Sequence, residues 1–113
     1  MATIAAMLTE AFVYIMASFS RCIFIGITRD MPRRWLQHQN GKGSEFVRKY
    51  RIRRLVHVER FDRLVNAIQR ETQLKGWRRS KKLALIEESN PEWSDLAIEW
   101  GWRTEKGPSL RSG

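Results

Sequence analysis

CIFIGITRDMPRRWLQH, residues 22–38, passes from a nearly continuous apolar run into a basic and polar segment. The apolar run at 22–28 predicts a strand that is buried on both faces. Asp30 is a favourable helix N-cap and Pro32 fits a first helical turn, so we expect a helix that reaches about Gln39. A buried strand therefore leads directly into a helix that presents cations.

Two side chains of this predicted helix, Arg34 and His38, are one turn apart and share a face. A cation pair next to a buried strand can face a phosphate group and an inward-pointing carboxylate. The same pair also fits a solvated basic face with His38 near the helix end, and the two residues by themselves favour that simpler interpretation.

The remaining segments predict a small domain of the α+β class. AFVYIMA (11–17) is rich in aromatic and β-branched residues, which predicts a strand, and the polar turn at 18–21 would join it to 22–28 as an antiparallel hairpin. Residues 44–54 form a basic connection. A third strand is expected at 55–61, followed by helices at about 63–77, at 80–89 with Ser80 at its start and Asn90-Pro91 at its end, and at 92–100. The order β-β-α-β-α-α-α places helices on a small sheet.

The length of 113 residues fits one domain. We expect that domain at 11–100, an irregular lead-in at 1–10 and a disordered tail at 101–113. Cys22 is the only cysteine, which excludes an internal disulfide and a zinc site built on cysteines. The start lacks the basic segment of a signal peptide, and the apolar stretch after residue 10 is too short for a membrane span, so a cytoplasmic protein is expected.

The charge of the chain suits a polyanionic partner. The net charge is +9 and the pI is about 10.6, which fits nucleic acid or, less often, a membrane face. Residues 1–82 carry 18 Lys and Arg against 6 Asp and Glu, so the basic surface belongs to the first three quarters of the chain. By composition alone, a basic protein without such a partner fits equally well.

Glu71 is the sharpest local signal in the sequence. Four apolar residues fall within about 60° of it on a helical wheel drawn at ~100° per residue: Leu64, Ala67, Ile68 and Leu74. The carboxylate is therefore expected to point toward the sheet, which costs several kcal/mol unless an arginine, hydrogen bonds or a metal ion compensate. Lys75 and Arg78 lie on the same side, and a structural salt bridge with one of them is the simpler interpretation.

These segments resemble the GIY-YIG nuclease superfamily, and most closely its small single-domain bacterial branch, the YhbQ-like proteins. Two segments stand at the tripeptides that give the family its name: FVYIM (12–16), whose tyrosine is Tyr14, and FIG (24–26). The likeness covers roughly residues 11–97.

Three longer segments extend the resemblance in the same order along the chain. GITRDMPRRWLQH (26–38) places Arg34 and His38 on the arginine and histidine positions of the family. AIQRETQLKGWRR (67–79) places Glu71 on the metal-binding glutamate. ALIEESNPEW (84–93) matches the ending of the branch and includes Asn90. Each piece is degenerate, but their order together makes the likeness specific.

The resemblance implies a three-stranded antiparallel sheet flanked by helices, and hydrolysis of phosphodiester bonds in DNA with one divalent cation, Mg²⁺ or Mn²⁺. Glu71 would hold the metal, Arg34 would neutralise charge on the phosphoryl group, and Tyr14 and His38 would activate or orient the attacking water. An oxygen ligand suits Mg²⁺, which keeps most of its waters, and a guanidinium matches the geometry of phosphate. RNA is a further possible substrate, and a monomer or weak homodimer is expected.

One departure from the family pattern leaves a second function open. Phe24 stands where the second tripeptide has its tyrosine, and a phenyl ring can neither accept a proton nor orient water. Losing a general base typically costs about 10²–10⁴ in rate. The alternative is a basic nucleic-acid-binding module that no longer cleaves. Gly26 is retained, and a strand glycine allows close approach of another group.

Basic side chains around the predicted site are candidates for contacts with a phosphate backbone. They comprise Arg33 on the first helix, a cluster before the third strand at Arg48, Lys49, Arg51, Arg53 and Arg54, and a cluster after Glu71 at Lys75, Arg78 and Arg79. If ~6 phosphates were neutralised, binding would fall with salt at a log–log slope near −5. A solvated surface is the competing explanation for each cluster.

Overall fold

The computed structural model describes residues 9–42 and 44–102, so most of the predicted lead-in and the tail from residue 103 lie outside it. Three strands, β1 (Ala11–Ala17), β2 (Ile23–Thr28) and β3 (Arg54–Phe61), form one antiparallel sheet in the order β2-β1-β3. β1 pairs with both neighbours and is therefore the central strand. The predicted α+β class with a three-stranded antiparallel sheet is confirmed.

Five helices occur in the described part of the chain. α1 (Met31–Gln39) and α2 (Glu45–Lys49) lie between β2 and β3, and α3 (Leu64–Lys75), α4 (Arg79–Ser89) and α5 (Leu96–Glu99) follow β3. The predicted order of elements is confirmed, with α2 as one addition inside the basic connection. No helix in residues 9–42 and 44–102 combines the length and apolar character needed to cross a bilayer.

Local capping explains where α1 and α2 begin. The Asp30 carboxylate accepts a hydrogen bond from the backbone N–H of Arg33 at 3.2 Å, as the sequence predicted. Ser44 caps α2 in the same way, because its hydroxyl accepts from the N–H of Val47 at 3.2 Å. Ser80 does not begin α4, since that helix already includes Arg79.

The predicted helix at 92–100 is wrong in its first half, because α5 begins only at Leu96. Trp93 has a φ of +58°, which a helix does not allow, and its side chain is fully buried. Asp95 then caps α5 by accepting from the N–H of Ala97 at 3.1 Å, and it also accepts from the N–H of Leu55 in β3 at 3.2 Å. The chain before α5 is therefore shaped by packing against β3.

The sheet is the middle layer of the molecule, since successive residues of β1 point to opposite faces. Val13 and Ile15 face α3 and α4 in one buried cluster, which also holds Trp93. Tyr14 and Met16 face the other way, into a cluster built from α1, α2 and α5. α1 and α3, which carry the predicted catalytic residues, therefore lie on opposite faces.

β2 is an edge strand, and the prediction that it is buried on both faces is wrong. Only Ile25 and Gly26 of β2 are buried, whereas β1 is buried along nearly its whole length. A continuous apolar run indicates burial but does not say which strand has two neighbours. The open edge of β2 leaves room beside Gly26.

Candidate active site

Tyr14 crosses the edge strand at Gly26, its partner in the antiparallel register. A Cβ on Gly26 would lie 2.5 Å from both Cζ and Oη of Tyr14, which no real side chain tolerates. Glycine is therefore required at this position, because the phenol ring lies against the backbone of β2. Gly26, the retained glycine of the second tripeptide, thus leaves the space that the ring of Tyr14, the tyrosine of the first tripeptide, occupies.

The Tyr14 hydroxyl is hydrogen bonded to His38, with 2.9 Å between Oη and Nε2. His38 is only 3% exposed and Tyr14 is fully buried, so the bond is shielded from water. Phe24 lies beside both groups, with ring centroids 6.3 Å from Tyr14 and 5.7 Å from His38. The position that carries tyrosine in the family pattern is therefore an apolar wall of the same site.

Burial keeps both members of this pair uncharged at neutral pH. It raises the pKa of Tyr14 above 10, although the neighbouring Arg34 guanidinium opposes this by charge and hydrogen bonding. Burial, followed by the charge of Arg34, lowers the pKa of His38 from 6.5 to about 4. A neutral imidazole in its Nδ1–H form accepts the Tyr14 proton at Nε2. Nδ1 of His38 is buried with no hydrogen-bond partner among the described residues.

Arg34 links this pair to an open cavity of about 250 Å³ at the start of α1. The cavity is lined by three arginines and three other polar residues: Arg29, Arg33, Arg34, Thr28, Asp30 and Gln37. Within residues 9–42 and 44–102 none of these three arginines forms an ion pair. The cavity is therefore a cationic recess next to Tyr14, of a kind that suits phosphate.

Glu71 approaches from the other face of the sheet, on α3, which packs on both β1 and β2. The buried centre of α3 lies between Ala67 and Leu74, and Ile68, predicted in the apolar stripe, is 46% exposed. Glu71 therefore lies about 50° from that centre at ~100° per residue, at the border of the buried face rather than in its middle. Its charge nevertheless contributes to the raised pKa of Tyr14.

The Glu71 side chain is 18% exposed and forms an ion pair with Lys75, with 2.9 Å between Oε2 and Nζ. The sequence predicted this partner, whereas Arg78 is unpaired within the described residues. Lys75 is 55% exposed, so the pair is open to solvent on one side. The carboxylate is therefore held at the edge of the site and not sealed in the core.

A family model described as the GIY-YIG catalytic domain matches residues 10–84. The chain belongs to the GIY-YIG nuclease superfamily. The resemblance inferred from Tyr14, Arg34, His38 and Glu71 is thereby confirmed at the level of the family.

Relatives of this GIY-YIG chain include proteins of bacteria and archaea. A UPF0213 protein of Staphylococcus saprophyticus is 34% identical over 77 residues, which cover 68% of this chain and 94% of the relative. A UPF0213 protein of Natronomonas pharaonis is 34% identical over 80 residues, 71% of this chain and 94% of the relative. The solution NMR structure of a UPF0213 protein from Bacillus halodurans matches with a TM-score of 0.51 and 28% identity, covering 77% of this chain and 93% of that one. None of these names states an activity.

Asn90, the last motif position of this GIY-YIG chain, is not brought to the Tyr14–His38 pair. Its Nδ2 donates to the carbonyls of Val56, at 3.1 Å, and Ser94, at 2.9 Å. Its Oδ1 accepts from the N–H of Ser94 at 3.0 Å. Because these bonds hold the turn after α4 against β3, on the far side of β1 from β2, the position serves structure.

The predicted phosphate contacts divide into exposed and structural side chains. Arg54 is structural, because Nη1 donates to the carbonyl of Trp93 at 2.9 Å and Nη2 to that of Ser18 at 2.6 Å. Arg79 donates to the carbonyl of Arg21 at 2.6 Å but is otherwise exposed. The remaining candidates are exposed: Arg33, Arg48, Lys49, Arg51, Arg53, Lys75 and Arg78.

Sequence reasoning missed Arg29, which lines the cavity next to Arg34. Its only signal in the sequence is its position directly before the cap residue Asp30. Such a position predicts closeness to the start of α1, but not which way the guanidinium faces.

Proposed function

We propose that this protein is an endonuclease that hydrolyses phosphodiester bonds in DNA with the help of a divalent cation. The observation that carries the proposal is the convergence of three groups on the Tyr14 phenol. The Tyr14 Oη and His38 Nε2 atoms are hydrogen bonded at 2.9 Å, and the charges of Arg34 and Glu71 both act on the pKa of Tyr14. Membership of the GIY-YIG superfamily supports the same reaction class.

The proposed roles follow from the protonation states. His38 is neutral above about pH 4, so its Nε2 can accept from the Tyr14 hydroxyl, while the phenol oxygen accepts a hydrogen bond from the Arg34 guanidinium. Arg34, which lines the cationic cavity, would stabilise the negative charge that develops on the phosphoryl oxygens. In the proposed reaction, Tyr14 would orient a water molecule that reaches it from the cavity lined by Arg34, and Arg34 would orient the phosphate.

Glu71 is the residue that would hold the cation, Mg²⁺ or Mn²⁺. No group of three or more His, Cys, Asp or Glu that could enclose a metal occurs in the described part of the chain. A single carboxylate still fits Mg²⁺, which commonly takes one or two carboxylates and completes its shell with water and substrate phosphate. Lys75 can turn toward solvent and free the carboxylate, because it is 55% exposed. When bound, the ion would act as a Lewis acid on the phosphate and lower the pKa of water.

A second candidate function is a module that binds nucleic acid without cleaving it. Phe24 favours it, because the ring lies 5.7 Å from His38 and supplies no hydroxyl. The Glu71–Lys75 ion pair favours it as well, since it occupies the only predicted metal ligand.

A plasmid-nicking assay with Mn²⁺ or Mg²⁺ separates the two functions. The wild-type protein should nick, and Glu71→Gln should lose the activity while keeping the fold and nucleic-acid affinity. Phe24→Tyr should raise the rate, because it restores a hydroxyl beside His38, by about 10²- to 10⁴-fold. Equal nicking by the wild type and Glu71→Gln would reject the endonuclease, and binding without cleavage by all three would favour the module.

A further inference from the structure

α2 presents two aromatic rings to solvent. Phe46 is 44% exposed and Tyr50, which ends the helix, is 46% exposed. Their ring centroids are 4.9 Å apart. Val47 is the buried residue of α2, and neither ring belongs to either buried cluster of the described chain. The pair is therefore not explained by the packing of the fold.

Mainly basic side chains lie around this aromatic pair. A cavity of about 650 Å³ is lined by both rings together with Lys49, Arg48 and Glu45, and the Glu45 carboxylate lies 3.6 Å from the Arg48 guanidinium. The Lys49 ammonium lies 5.4 Å from the centroid of the Tyr50 ring. Arg51 and Arg53 follow directly and are exposed. Flat apolar faces among cations complement a nucleobase and its phosphates, because the base offers a ring to stack on and the backbone offers negative charge.

The pair lies on the same face of the sheet as the Tyr14–His38 bond. Val47 packs in the buried cluster that contains Tyr14 and Trp35. The Gln39 side chain, at the end of α1, donates to the carbonyl of Arg53 at 2.8 Å. This hydrogen bond connects the end of α1 to the segment that follows α2. The aromatic pair is therefore beyond the C-terminal end of the helix that carries Arg34 and His38.

We propose that Phe46 and Tyr50 stack on an unpaired nucleobase. A base inside a duplex is already stacked and cannot lie on these rings, whereas an unpaired base offers a free face. Stacking on one ring contributes about 5- to 150-fold in affinity. In combination with the proposed nuclease function, on which this step rests, the substrate carries unpaired nucleotides on the side of the cleaved bond that lies toward the C-terminal end of α1.

The test measures stacking directly and needs no cleavage. The full chain is mixed, in EDTA, with a DNA single strand that contains 2-aminopurine, whose fluorescence falls when it stacks, and with the matched duplex. The wild type should quench the single strand and not the duplex. Phe46→Ala and Tyr50→Ala should each lose at least about 5-fold in single-strand affinity and most of the quenching, with duplex affinity unchanged. Tyr50→Phe should retain both.

Phe19→Ala is the matched control. Phe19 is 90% exposed on the turn before β2 and lies under a guanidinium, 4.9 Å from Arg54, but it is far from α2 in sequence. It should behave as the wild type. Phe46→Leu keeps apolar bulk without a ring and should still lose the quenching, so a packing defect is distinguished from lost stacking.

Two outcomes overturn the proposal: equal quenching of single strand and duplex, or unchanged quenching in Phe46→Ala and Tyr50→Ala. A pair that docks a protein would give the second outcome. Because these measurements exclude metal, stacking with no nicking in any condition would reject the endonuclease and keep the stacking site.

Discussion

At the scale of single residues, Tyr14 and Gly26 are dependent on each other. The phenol can reach His38 only because β2 has no side chain at the crossing point, where a Cβ would lie 2.5 Å from the ring. The same contact explains why a glycine occupies a strand, where it is otherwise unfavourable.

Gly26→Ala should therefore disturb both the fold and the site. We expect a loss of about 1–3 kcal/mol in the free energy of unfolding, because the added methyl group overpacks against Tyr14. Urea unfolding measures it. Gly76→Ala is the control, since its new Cβ would be 3.5 Å from the nearest atom and its φ of −85° suits alanine. A Gly26→Ala variant as stable as Gly76→Ala would contradict the placement of the Tyr14 ring.

His38 predicts a pH dependence of stability. The unfolded chain takes up the His38 proton near pH 6.5, and the folded chain only near pH 4. The free energy of unfolding should therefore fall as pH falls from about 6.5 to about 4, and level off below, by at most about 3 kcal/mol. The difference between the wild type and His38→Gln in urea titrations isolates this contribution. A difference that is constant over this range would show that His38 is not buried as described.

The residue types of the candidate site and their order could be predicted from the sequence. The contacts between these residues could not. Tyr14, Arg34 and His38 stand in short motifs, so their residue types and order are visible in the sequence. The hydrogen bond between Tyr14 and His38 depends on the register of β1 against β2 and on the rotation of α1. Neither follows from local spacing.

At the scale of elements, α3 is attached to β3 by a three-residue hydrogen-bond network. Glu59 accepts from His57 at 2.9 Å and from Arg70 at 2.7 and 3.0 Å. These hydrogen bonds, that of His57 first, lower the pKa of Glu59 to about 2. The network fixes the helix that carries Glu71 onto the sheet.

Glu59→Gln should cost about 1.5–3 kcal/mol at pH 7, because it removes hydrogen bonds to a charged group. Since the folded-state pKa is lowered from 4.5 to about 2, the contribution is complete above pH 4.5 and is lost as pH falls toward 2. The gap in unfolding free energy between the wild type and Glu59→Gln should therefore close at low pH. Arg63→Gln, at an exposed arginine, should change stability by under about 0.5 kcal/mol at any pH. A gap that persists at pH 2 would contradict the network.

Elements with local signals were predicted well, and those set by packing were not. The bounds of β1 and the start of α1 follow from side-chain pattern and from the Asp30 cap. α2 has five residues and one buried side chain, so no period is available to detect. The start of α5 depends on Trp93, whose positive φ accompanies a buried indole that donates to Glu87 at 3.0 Å. This hydrogen bond joins the turn at Trp93 to α4, and no pattern in the sequence indicates that these two segments are in contact.

At the scale of the whole molecule, the candidate site draws on both faces of the sheet. α1 brings Arg34 and His38 from one face, and α3 brings Glu71 from the other, around the edge formed by β2. The helical wheel predicted that Glu71 turns inward, but a wheel describes one helix. The sequence offered Lys75 as a partner of Glu71, which the ion pair confirms, but the wheel centred the apolar stripe on Glu71, whereas the carboxylate lies at the border of the buried face.

The cationic cavity predicts how nucleic-acid binding responds to salt. Replacing both Arg29 and Arg33 by glutamine should reduce the log–log salt slope for duplex DNA by about 1–2, because each phosphate contact contributes about 0.9. Fluorescence anisotropy between 50 and 200 mM salt, about the range over which such slopes are read, measures it with metal absent. Arg63→Gln should leave the slope unchanged. An equal change of the salt slope per arginine replaced in both variants would show that DNA binding depends on the total charge of the protein and not on the cationic cavity.

Because β1 is the central strand, the backbone that carries Tyr14 is more rigid than the other parts of the candidate site. Tyr14 belongs to a strand bonded on both sides, so its backbone cannot shift without breaking the sheet. Amide hydrogen exchange should accordingly be slowest along β1 and much faster at the open end of α1. Any adjustment to an incoming ligand then falls to Arg34 and to the Glu71–Lys75 side chains, which move around a fixed phenol.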